Sequence, residues 1–299
     1  MVDQAGVLRM IKGKSRSAVP SRRKEGRNPD NVRVIAVTSG KGGVGKTSIA
    51  ANIAYLLSRA GYETLLLDAD AGLANIDIML GITPKYNLSH LLRGEKSLED
   101  IVLTGPGNIR ILPGASGVRD MADLSARERC VLLEEVESIG NGIDFIVIDT
   151  AAGISGNVMY FNMIAKEVIV VVTPEPTSLT DAYALIKLLY QEHGTKRFML
   201  IVNMARDDND ARFVYRRLSN ALDRFLHLSI AYMGHILYDD RVEEAVRRQQ
   251  ILMESFPSGK AAQCLSKIVK RLSDEEPAPY DRGAVKLFGR AVIDHEYHG

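Results

Sequence analysis

Short, continuous apolar runs recur along most of the chain, and stretches with helical spacing separate them. The runs are rich in Val, Ile and Leu and do not alternate with polar residues, which is typical of strands buried on both faces of a parallel sheet. Between the first two runs, residues 46–61 repeat apolar side chains at helical spacing and end at Gly61. The pattern predicts seven strands, at residues 32–39, 63–70, 109–114, 144–150, 167–173, 198–204 and 230–236.

Strands that alternate with helices predict an α/β fold, with a doubly wound, mainly parallel sheet and helices on both of its faces. The alternation runs from residue 32 to residue 273 without an evident linker, so we expect one domain there. Residues 1–31 are then a separate N-terminal segment with a basic linker. Residues 274–299 start with an acidic stretch containing two prolines, which predicts a hinge before a last short helix.

Composition narrows the classes of protein. The 38 Lys and Arg residues nearly balance the 37 Asp and Glu residues, so the net charge does not indicate a nucleic-acid partner. The two cysteines, Cys130 and Cys264, are far apart and form neither a disulfide framework nor a zinc pattern. The sequence shows no signal peptide and no run of about 18 apolar residues, which predicts a protein that is neither secreted nor membrane-spanning.

The stretch SGKGGVGKTS follows the first predicted strand and precedes the first predicted helix. Residues 40–47 satisfy G-x-x-x-x-G-K-[ST], whose glycines let backbone N–H groups surround phosphate oxygens at the positive end of the helix. We expect Lys46 to bridge the β- and γ-phosphates of ATP and the Thr47 hydroxyl to bind Mg²⁺. The predicted nucleotide-binding residues here are Gly40, Lys41, Gly42, Gly43, Val44, Gly45, Lys46, Thr47 and Ser48.

As KGGVGKT, with a second lysine at Lys41, this loop resembles the deviant Walker A motif of the MinD/ParA group of P-loop ATPases. Residues 68–81 resemble the switch I of that group, and residues 148–154 resemble its switch II, with Ala151 in place of the usual proline. The resemblance spans residues 32–273. It implies a homodimer that sandwiches ATP, in which Lys41 reaches the phosphates of the partner subunit and assists catalysis.

Carboxylates stand at the ends of two predicted strands. Asp149 is placed to hold Mg²⁺, and the N–H group of Gly153 to contact the γ-phosphate and detect its loss. Asp70 is the candidate for orienting the attacking water, so the predicted catalytic residues are Lys41, Lys46 and Asp70. Asp68 is a candidate third metal residue with Thr47 and Asp149, and for it the alternative of capping a helix or turn stays open.

The resemblance implies further contacts near the nucleotide. Asn203 corresponds to the asparagine that contacts adenine, Asp181 lies where the group packs near the nucleotide and the dimer face, and residues 236–245 resemble the loop that closes over the base. For Asn203 and Asp181, ordinary hydrogen bonding at a strand end and a helix start is the alternative.

The N-terminal stretch DQAGVLR precedes a basic linker and resembles the activating helix of the FlhG family (also called YlxH or FleN), the flagellar-number ATPases. In that family the segment binds the GTPase FlhF and stimulates its GTP hydrolysis. The implied partner-binding residues are Asp3, Gln4, Leu8 and Arg9, with Gln4 central. A frayed terminus is the alternative reading. The same resemblance implies contacts with flagellar C-ring proteins and with a flagellar transcription activator.

Residues 284–292 place apolar side chains at helical spacing after the predicted hinge. This pattern resembles the membrane-targeting tail of MinD proteins, with Val285, Leu287, Phe288 and Val292 as the membrane-facing residues. Two such helices on an ATP-bound dimer bind more tightly than one, which implies a cytoplasmic protein that attaches reversibly to the inner face of the membrane. Docking of the helix on its own domain is the alternative.

Two other functions stay open at this point. A MinD-type regulator of the cell-division site binds a MinC-like partner and does not act on FlhF. A ParA-type DNA-segregation ATPase binds DNA in an ATP-dependent and steeply salt-sensitive manner, which the balanced charge makes the less expected outcome. A metal-reducing enzyme is least expected, because the cysteines are not next to the switch motifs.

Overall fold

The computed structural model describes residues 32–70, 75–114, 125–139, 142–165 and 167–275. Both predicted terminal segments therefore lie outside the described residues. These segments include the FlhF-binding candidates Asp3, Gln4, Leu8 and Arg9 and the membrane candidates Val285, Leu287, Phe288 and Val292.

The sheet has eight strands within the described residues, in the order β3-β4-β2-β5-β1-β6-β7-β8. All pairings are parallel except that of β3 with β4. All seven predicted strands are present, and the two-residue β3 was not predicted. The strands are β1 Arg33–Ser39, β2 Thr64–Ala69, β3 Leu103–Thr104, β4 Arg110–Leu112, β5 Phe145–Ala152, β6 Glu167–Val172, β7 Arg197–Ala205 and β8 Ala231–Leu237.

Helices cover both faces of the sheet. Successive β1 residues belong to different cores, since Ile35 packs in one apolar cluster and Ala36 in another on the opposite face. The predicted doubly wound α/β fold is therefore confirmed. The helices are α1 Lys46–Arg59, α2 Asn75–Leu80, α3 Leu88–Leu92, α4 Leu98–Ile101, α5 Ala126–Ile139, α6 Gly156–Ala165, α7 Pro176–His193, α8 Asp208–Leu226, α9 Asp240–Arg247, α10 Leu252–Ser255 and α11 Lys260–Asp274.

A buried ion pair joins the amino ends of two central strands. The Nε atom of Arg33 lies 2.7 Å from a carboxylate oxygen of Glu167. The same guanidinium donates a 2.5 Å hydrogen bond to the carbonyl oxygen of Leu272 in the last turn of α11. A cation at the end of a helix stabilises its unpaired carbonyl groups. Arg33 therefore ties α11 to the sheet near the predicted boundary at residue 273.

In the described part of the chain, no helix combines the length and apolar character needed to cross a membrane.

The carboxyl ends of the parallel strands meet at one edge of the sheet. Gly40 follows β1, Asp70 follows β2, Gly153 follows β5, and Asn203 lies near the end of β7. In open parallel sheets this edge is where ligands bind. The fold thus brings the predicted phosphate loop and the predicted switch residues together.

Candidate nucleotide site

The phosphate loop connects β1 to α1 through left-handed glycines. Gly43 has φ +77° and Gly45 has φ +88°, a region that favours glycine. Gly45 is the N-cap of α1, and no side chain caps the helix there. The first N–H groups of α1 therefore need another acceptor, which makes this helix end suited to an anion.

Two loop glycines permit close approach of distant parts of the chain. A Cβ atom on Gly40 would lie 2.2 Å from the backbone carbon of Asp181 in α7, and a Cβ atom on Gly45 would lie 2.6 Å from Nδ2 of Asn203. Asn203 donates a 2.8 Å hydrogen bond from Nδ2 to the carbonyl oxygen of Val44. The structure thus places Asn203 as a brace beneath the loop and Asp181 against its first glycine. The adenine contact of Asn203 stays a prediction.

Lys46 is the buried cation of the site, with 8% of its surface exposed. Burial lowers the pKa of Lys46, while the negative charges of Asp149 and Asp70 partly oppose this shift. A bound phosphate would add negative charge beside Lys46 and so stabilise its charged form. This arrangement matches the phosphate-binding role predicted for Lys46.

Asp149 lies at full burial next to the start of α1. Burial and, after it, the charge of Asp68 raise the pKa of this carboxyl to about 8, although the Thr47 hydroxyl and the Lys46 ammonium oppose the shift. Neither carboxylate oxygen has a hydrogen bond of ordinary geometry to another described residue. A buried carboxylate is costly without a partner, and a cation supplies one.

This unpartnered carboxylate beside a hydroxyl fits Mg²⁺, with Thr47 and Asp149 as the residues that would hold it. Among the residues that the structure describes, no group of three or more His, Cys, Asp or Glu side chains is placed to hold a metal ion. Mg²⁺ sites in nucleotide hydrolases need fewer protein ligands, because phosphate oxygens and waters complete the shell.

Asp68 is engaged by backbone amides rather than left open for a metal. One of its oxygens accepts from the N–H groups of Asn75 and Ile76, each at 3.2 Å, and the other accepts from the N–H of Asp70 at 3.1 Å. The capping alternative for Asp68 is therefore what the structure shows. Burial raises the pKa of Asp68 to about 7, although the amide hydrogen bonds oppose that shift. Its metal role stays a prediction.

Asp70, the predicted water-orienting residue, is held by a residue that sequence reasoning missed. Nδ2 of Asn75 donates a 3.2 Å hydrogen bond to a carboxylate oxygen of Asp70. Asn75 stands five residues further along, at the start of α2. The signal available in the sequence was an amide side chain inside the predicted switch I.

Lys41 points to the start of α7. Its ammonium group pairs with the carboxylate of Glu175 and donates a 3.1 Å hydrogen bond to the Thr177 hydroxyl. The Lys41 side chain is 39% exposed. Lys46 is therefore buried beside the carboxylates and Lys41 lies at the surface, and the reach of Lys41 to a partner subunit stays a prediction. Sequence reasoning missed Glu175, which lies in the stretch TPEPTS.

The N–H group of Gly153 does not face an open phosphate site in this structure. It donates a 2.9 Å hydrogen bond to the carbonyl oxygen of Ser39. The reason is that β5 continues to Ala152, which pairs with Ser39 after a register shift. The γ-phosphate contact of Gly153 stays a prediction, and it requires that this last bond between β1 and β5 opens.

The predicted loop over the base is wrong across most of its length. β8 ends at Leu237 and α9 begins at Asp240, so only Tyr238 and Asp239 connect them. Asp239 caps α9 by accepting a 3.2 Å hydrogen bond from the N–H of Arg241. A capping aspartate before a polar helical stretch was the signal that this part is helical.

An exposed groove of about 440 Å³ lies between α7 and α8. Its lining includes Leu179 and Tyr183 from α7 and Arg217 and Phe225 from α8. The ring of Phe225 is 64% exposed and packs edge-on against that of Tyr183. Aromatic and arginine side chains together are typical of protein interfaces.

Known proteins resemble this chain over nearly its whole length. The AAA domain family matches residues 32–200. The antiactivator FleN of Pseudomonas aeruginosa is 43% identical over 269 residues, which cover 90% of this chain and 96% of FleN. The flagellum site-determining protein YlxH of Helicobacter pylori is 35% identical over 242 residues, which cover 81% of this chain and 82% of YlxH.

A solved structure agrees with the fold. The septum site-determining protein MinD of Pyrococcus horikoshii, in complex with Mg-ADP, matches with a TM-score of 0.69 and 27% identity. The match covers 81% of this chain and 96% of that protein. With the phosphate loop, the second lysine and the parallel sheet in place, the chain belongs to the family of FleN and YlxH, within the MinD/ParA-like P-loop ATPases.

Proposed function

We propose that this chain is an ATP-hydrolysing dimerisation switch that regulates the number and placement of flagella. The proposal rests on the different positions of two lysines in the phosphate loop. Lys46 is buried beside Asp149, whereas Lys41 sits at the surface of the same loop, where a second subunit has access to it. The flagellar role is supported by the two relatives, the antiactivator FleN and the flagellum site-determining protein YlxH.

Each site residue has one task in this proposal. Lys46 and the loop amides bind the β- and γ-phosphates, and Thr47 and Asp149 hold Mg²⁺, which when bound neutralises charge on the phosphates. Asp70 orients the attacking water. Lys41 leaves Glu175 and contacts the phosphates of the partner subunit, where a cation supplied in trans accelerates phosphoryl transfer.

The test of the switch is the oligomeric state together with turnover. We expect the protein to be a monomer with ADP. With ATP we expect a dimer, which the Asp70→Asn variant should preserve because it hydrolyses ATP slowly. The ATPase activity of the wild-type protein should rise with protein concentration. Light scattering coupled to gel filtration measures the first two. A monomer under all nucleotide conditions would contradict the proposal.

For the N-terminal segment we propose binding to the GTPase FlhF through Asp3, Gln4, Leu8 and Arg9. The test adds a peptide of residues 1–27 to FlhF and measures GTP hydrolysis, with Gln4→Ala as the matched control. Stimulation by the wild-type peptide alone supports the proposal. Without stimulation, and with binding to a MinC-like protein instead, the MinD-type alternative is favoured.

The groove between α7 and α8 is the described surface best suited to a protein partner, and we propose that it receives a flagellar C-ring protein. Arg217 and the exposed ring of Phe225 both line this groove. We expect Arg217→Glu and Phe225→Ala to abolish pull-down of the C-ring protein and to leave ATPase activity unchanged. Arg216→Glu, on the same helix and outside the lining, is the control. Binding of a transcription activator is tested with the same variants.

For residues 284–292 we propose reversible binding to the inner face of the membrane, with localisation in the cytoplasm otherwise. Flotation with anionic phospholipid vesicles is expected to recover the protein with ATP and not with ADP, and Phe288→Asp is expected to abolish recovery. Equal recovery with ATP and with ADP would contradict control of membrane binding by the nucleotide. A ParA-type function would instead give ATP-dependent DNA binding that weakens steeply with salt.

A further inference from the structure

Gln249, between α9 and α10, contacts the helix that follows the predicted water-orienting residue. Its Nε2 donates a 2.9 Å hydrogen bond to the carbonyl oxygen of Ile78 in α2. The two residues are 171 positions apart in the chain. Ile78 lies in the last turn of α2, and its carbonyl oxygen also accepts a 3.3 Å hydrogen bond from the N–H of Gly81. Gln249 thus supplies a donor to the carboxyl end of α2.

The backbone at this contact is specialised on both sides. Gln249 has φ +56°, a left-handed conformation that is unfavourable for a residue with a Cβ atom. Opposite to it, Gly81 has φ +63°, and a Cβ atom there would lie 3.3 Å from Gln249. Glycine normally occupies such a position, so a glutamine in this strained conformation indicates that its side chain has a functional or structural role.

Gln249 is itself fixed relative to the phosphate loop. Four residues further on, the N–H of Met253 donates a 3.1 Å hydrogen bond to Oδ1 of Asn52, and Nδ2 of Asn52 donates a 2.7 Å hydrogen bond to the carbonyl oxygen of Ser48. Ser48 lies in the first turn of α1. The segment that carries Gln249 is therefore anchored to the helix that starts at the phosphate loop.

At its other end, α2 holds Asp70. Asn75, the first residue of α2, donates through Nδ2 to the Asp70 carboxylate at 3.2 Å. A continuous series of contacts therefore runs from Ser48 through Asn52, Met253 and Gln249 to α2 and on to Asp70. Because α2 has only six residues, a displacement at its carboxyl end moves its amino end too.

We propose that Gln249 is a positioning residue for ATP hydrolysis, which fixes α2 against the phosphate-loop helix so that Asn75 keeps Asp70 directed at the reacting phosphate. The inference rests on the proposed role of Asp70. Gln249 acts on the rate of the chemical step and not on nucleotide affinity, because its side chain donates to α2 and not to the loop that binds phosphate. An error of about 1 Å in the position of a reacting group is large enough to slow catalysis strongly.

Three variants separate the hydrogen bond from the backbone strain. Gln249→Glu keeps the size and the strain and loses the donor. Gln249→Gly loses the donor and relieves the strain, because glycine adopts the left-handed region readily. Gln250→Ala is the matched control, since Gln250 bonds to the exposed Ser255 hydroxyl of its own segment.

The experiment measures kcat, KM and Tm of the full-length variants, and amide hydrogen exchange at residues 79–82. We expect kcat to fall three- to tenfold in Gln249→Glu and Gln249→Gly, with KM within twofold of wild type and faster exchange at residues 79–82. Gln249→Gly should match or exceed the wild-type Tm, so stability and turnover move in opposite directions. Gln250→Ala should match wild type.

Wild-type kcat in Gln249→Glu together with unchanged exchange at residues 79–82 would overturn the proposal. A parallel fall of kcat and Tm in both variants would also overturn it, since that indicates a merely structural role. Asp70→Asn serves as the separate test of the proposed function. If Asp70→Asn hydrolyses ATP at the wild-type rate, the role of Asp70 fails, and amide exchange alone decides whether Gln249 holds α2.

Discussion

Asp68 and Asp149 are register partners on the neighbouring strands β2 and β5, so two carboxylates are buried side by side at the edge of the sheet where phosphate is expected. Backbone amides donate hydrogen bonds to Asp68, whereas Asp149 accepts no hydrogen bond of ordinary geometry from the described residues and has Thr47 and Lys46 as neighbours. Burial raises the pKa of Asp68 to about 7, and burial together with the charge of Asp68 raises the pKa of Asp149 to about 8. The raised pKa values favour the neutral forms of these carboxyls, and a bound divalent cation would favour the charged form of Asp149.

Proton release should accompany binding of Mg²⁺-ADP. Near pH 7 much of Asp149 is protonated, and a metal requires the anion. We expect roughly one proton to be released at pH 7 and close to none at pH 9.5. Calorimetric titrations in buffers of different ionisation enthalpy measure the number of protons released per Mg²⁺-ADP bound. Asp149→Asn should abolish the release, and a wild-type protein that binds Mg²⁺-ADP without proton release at pH 7 contradicts the pKa assignment.

The ligand-free protein should lose stability as the pH rises from 6 to 9. Because burial raises the pKa of Asp149 to about 8 in the folded protein, the folded protein binds more protons than the unfolded chain over most of this range. Its contribution is therefore complete below pH 4 and is lost as the pH passes about 8. Asp149→Asn should reduce this loss by on the order of 2–3 kcal/mol, measured by denaturant titrations at pH 6 and at pH 9. Asp223→Asn, at an exposed carboxylate of α8, should keep the wild-type slope.

Lys41→Ala should damage dimerisation and turnover more than nucleotide affinity. Its pair with Glu175 is exposed, so its loss costs less than about 1 kcal/mol of folding stability. A cation supplied in trans is worth roughly 10³–10⁵ in rate, so we expect kcat to fall at least about 100-fold. Fluorescent-nucleotide titration should give a Kd within threefold of wild type. Normal ATP-dependent dimerisation and turnover by Lys41→Ala would refute the assignment.

Asn203→Asp tests whether this side chain braces the loop or selects the base. The substitution keeps the shape and removes the Nδ2 donor that binds the Val44 carbonyl. As a brace, Asn203 contributes to the binding of any nucleotide, so affinities for ATP and GTP should fall by the same factor, about tenfold for a hydrogen bond worth 0.5–1.5 kcal/mol. Competition titrations measure the affinities of the variant for ATP and for GTP and so distinguish the two roles. A loss confined to ATP would assign Asn203 to adenine instead.

The sequence was sufficient for those features whose cause is local. The strands appear as apolar runs, and Lys46 and Thr47 stand at fixed offsets from the glycines of one loop. Asp149 was found because it stands near the end of a buried apolar run. The two-residue β3 has no pattern of its own, since its single partner strand is what makes Leu103 and Thr104 extended.

The contacts that support the site could not be predicted from the sequence, because they join residues that are far apart in the chain. Asn203 meets Val44 across 159 positions, and Gln249 meets Ile78 across 171 positions. Such contacts depend on how helices pack on the sheet, which no local spacing reports. Gly153 shows the same limit, because its amide bond to Ser39 depends on the register between β1 and β5.

Gly40→Ala and Gly42→Ala should separate packing from phosphate binding within one loop. A Cβ atom on Gly40 would lie 2.2 Å from the backbone carbon of Asp181 and 2.3 Å from its carbonyl oxygen, so α7 has to shift to admit it. A Cβ atom on Gly42 would have nothing within 4 Å. We expect Gly40→Ala to lose about 3 kcal/mol of stability, near the upper range for overpacking, and Gly42→Ala to stay within about 0.5 kcal/mol of wild type. Thermal unfolding followed by circular dichroism compares them. Since α7 begins next to Glu175, the partner of Lys41, a shifted α7 should also alter ATP-dependent dimerisation in Gly40→Ala. Equal melting temperatures for the two variants would show that the first loop glycine is not required for the packing of α7 against the phosphate loop.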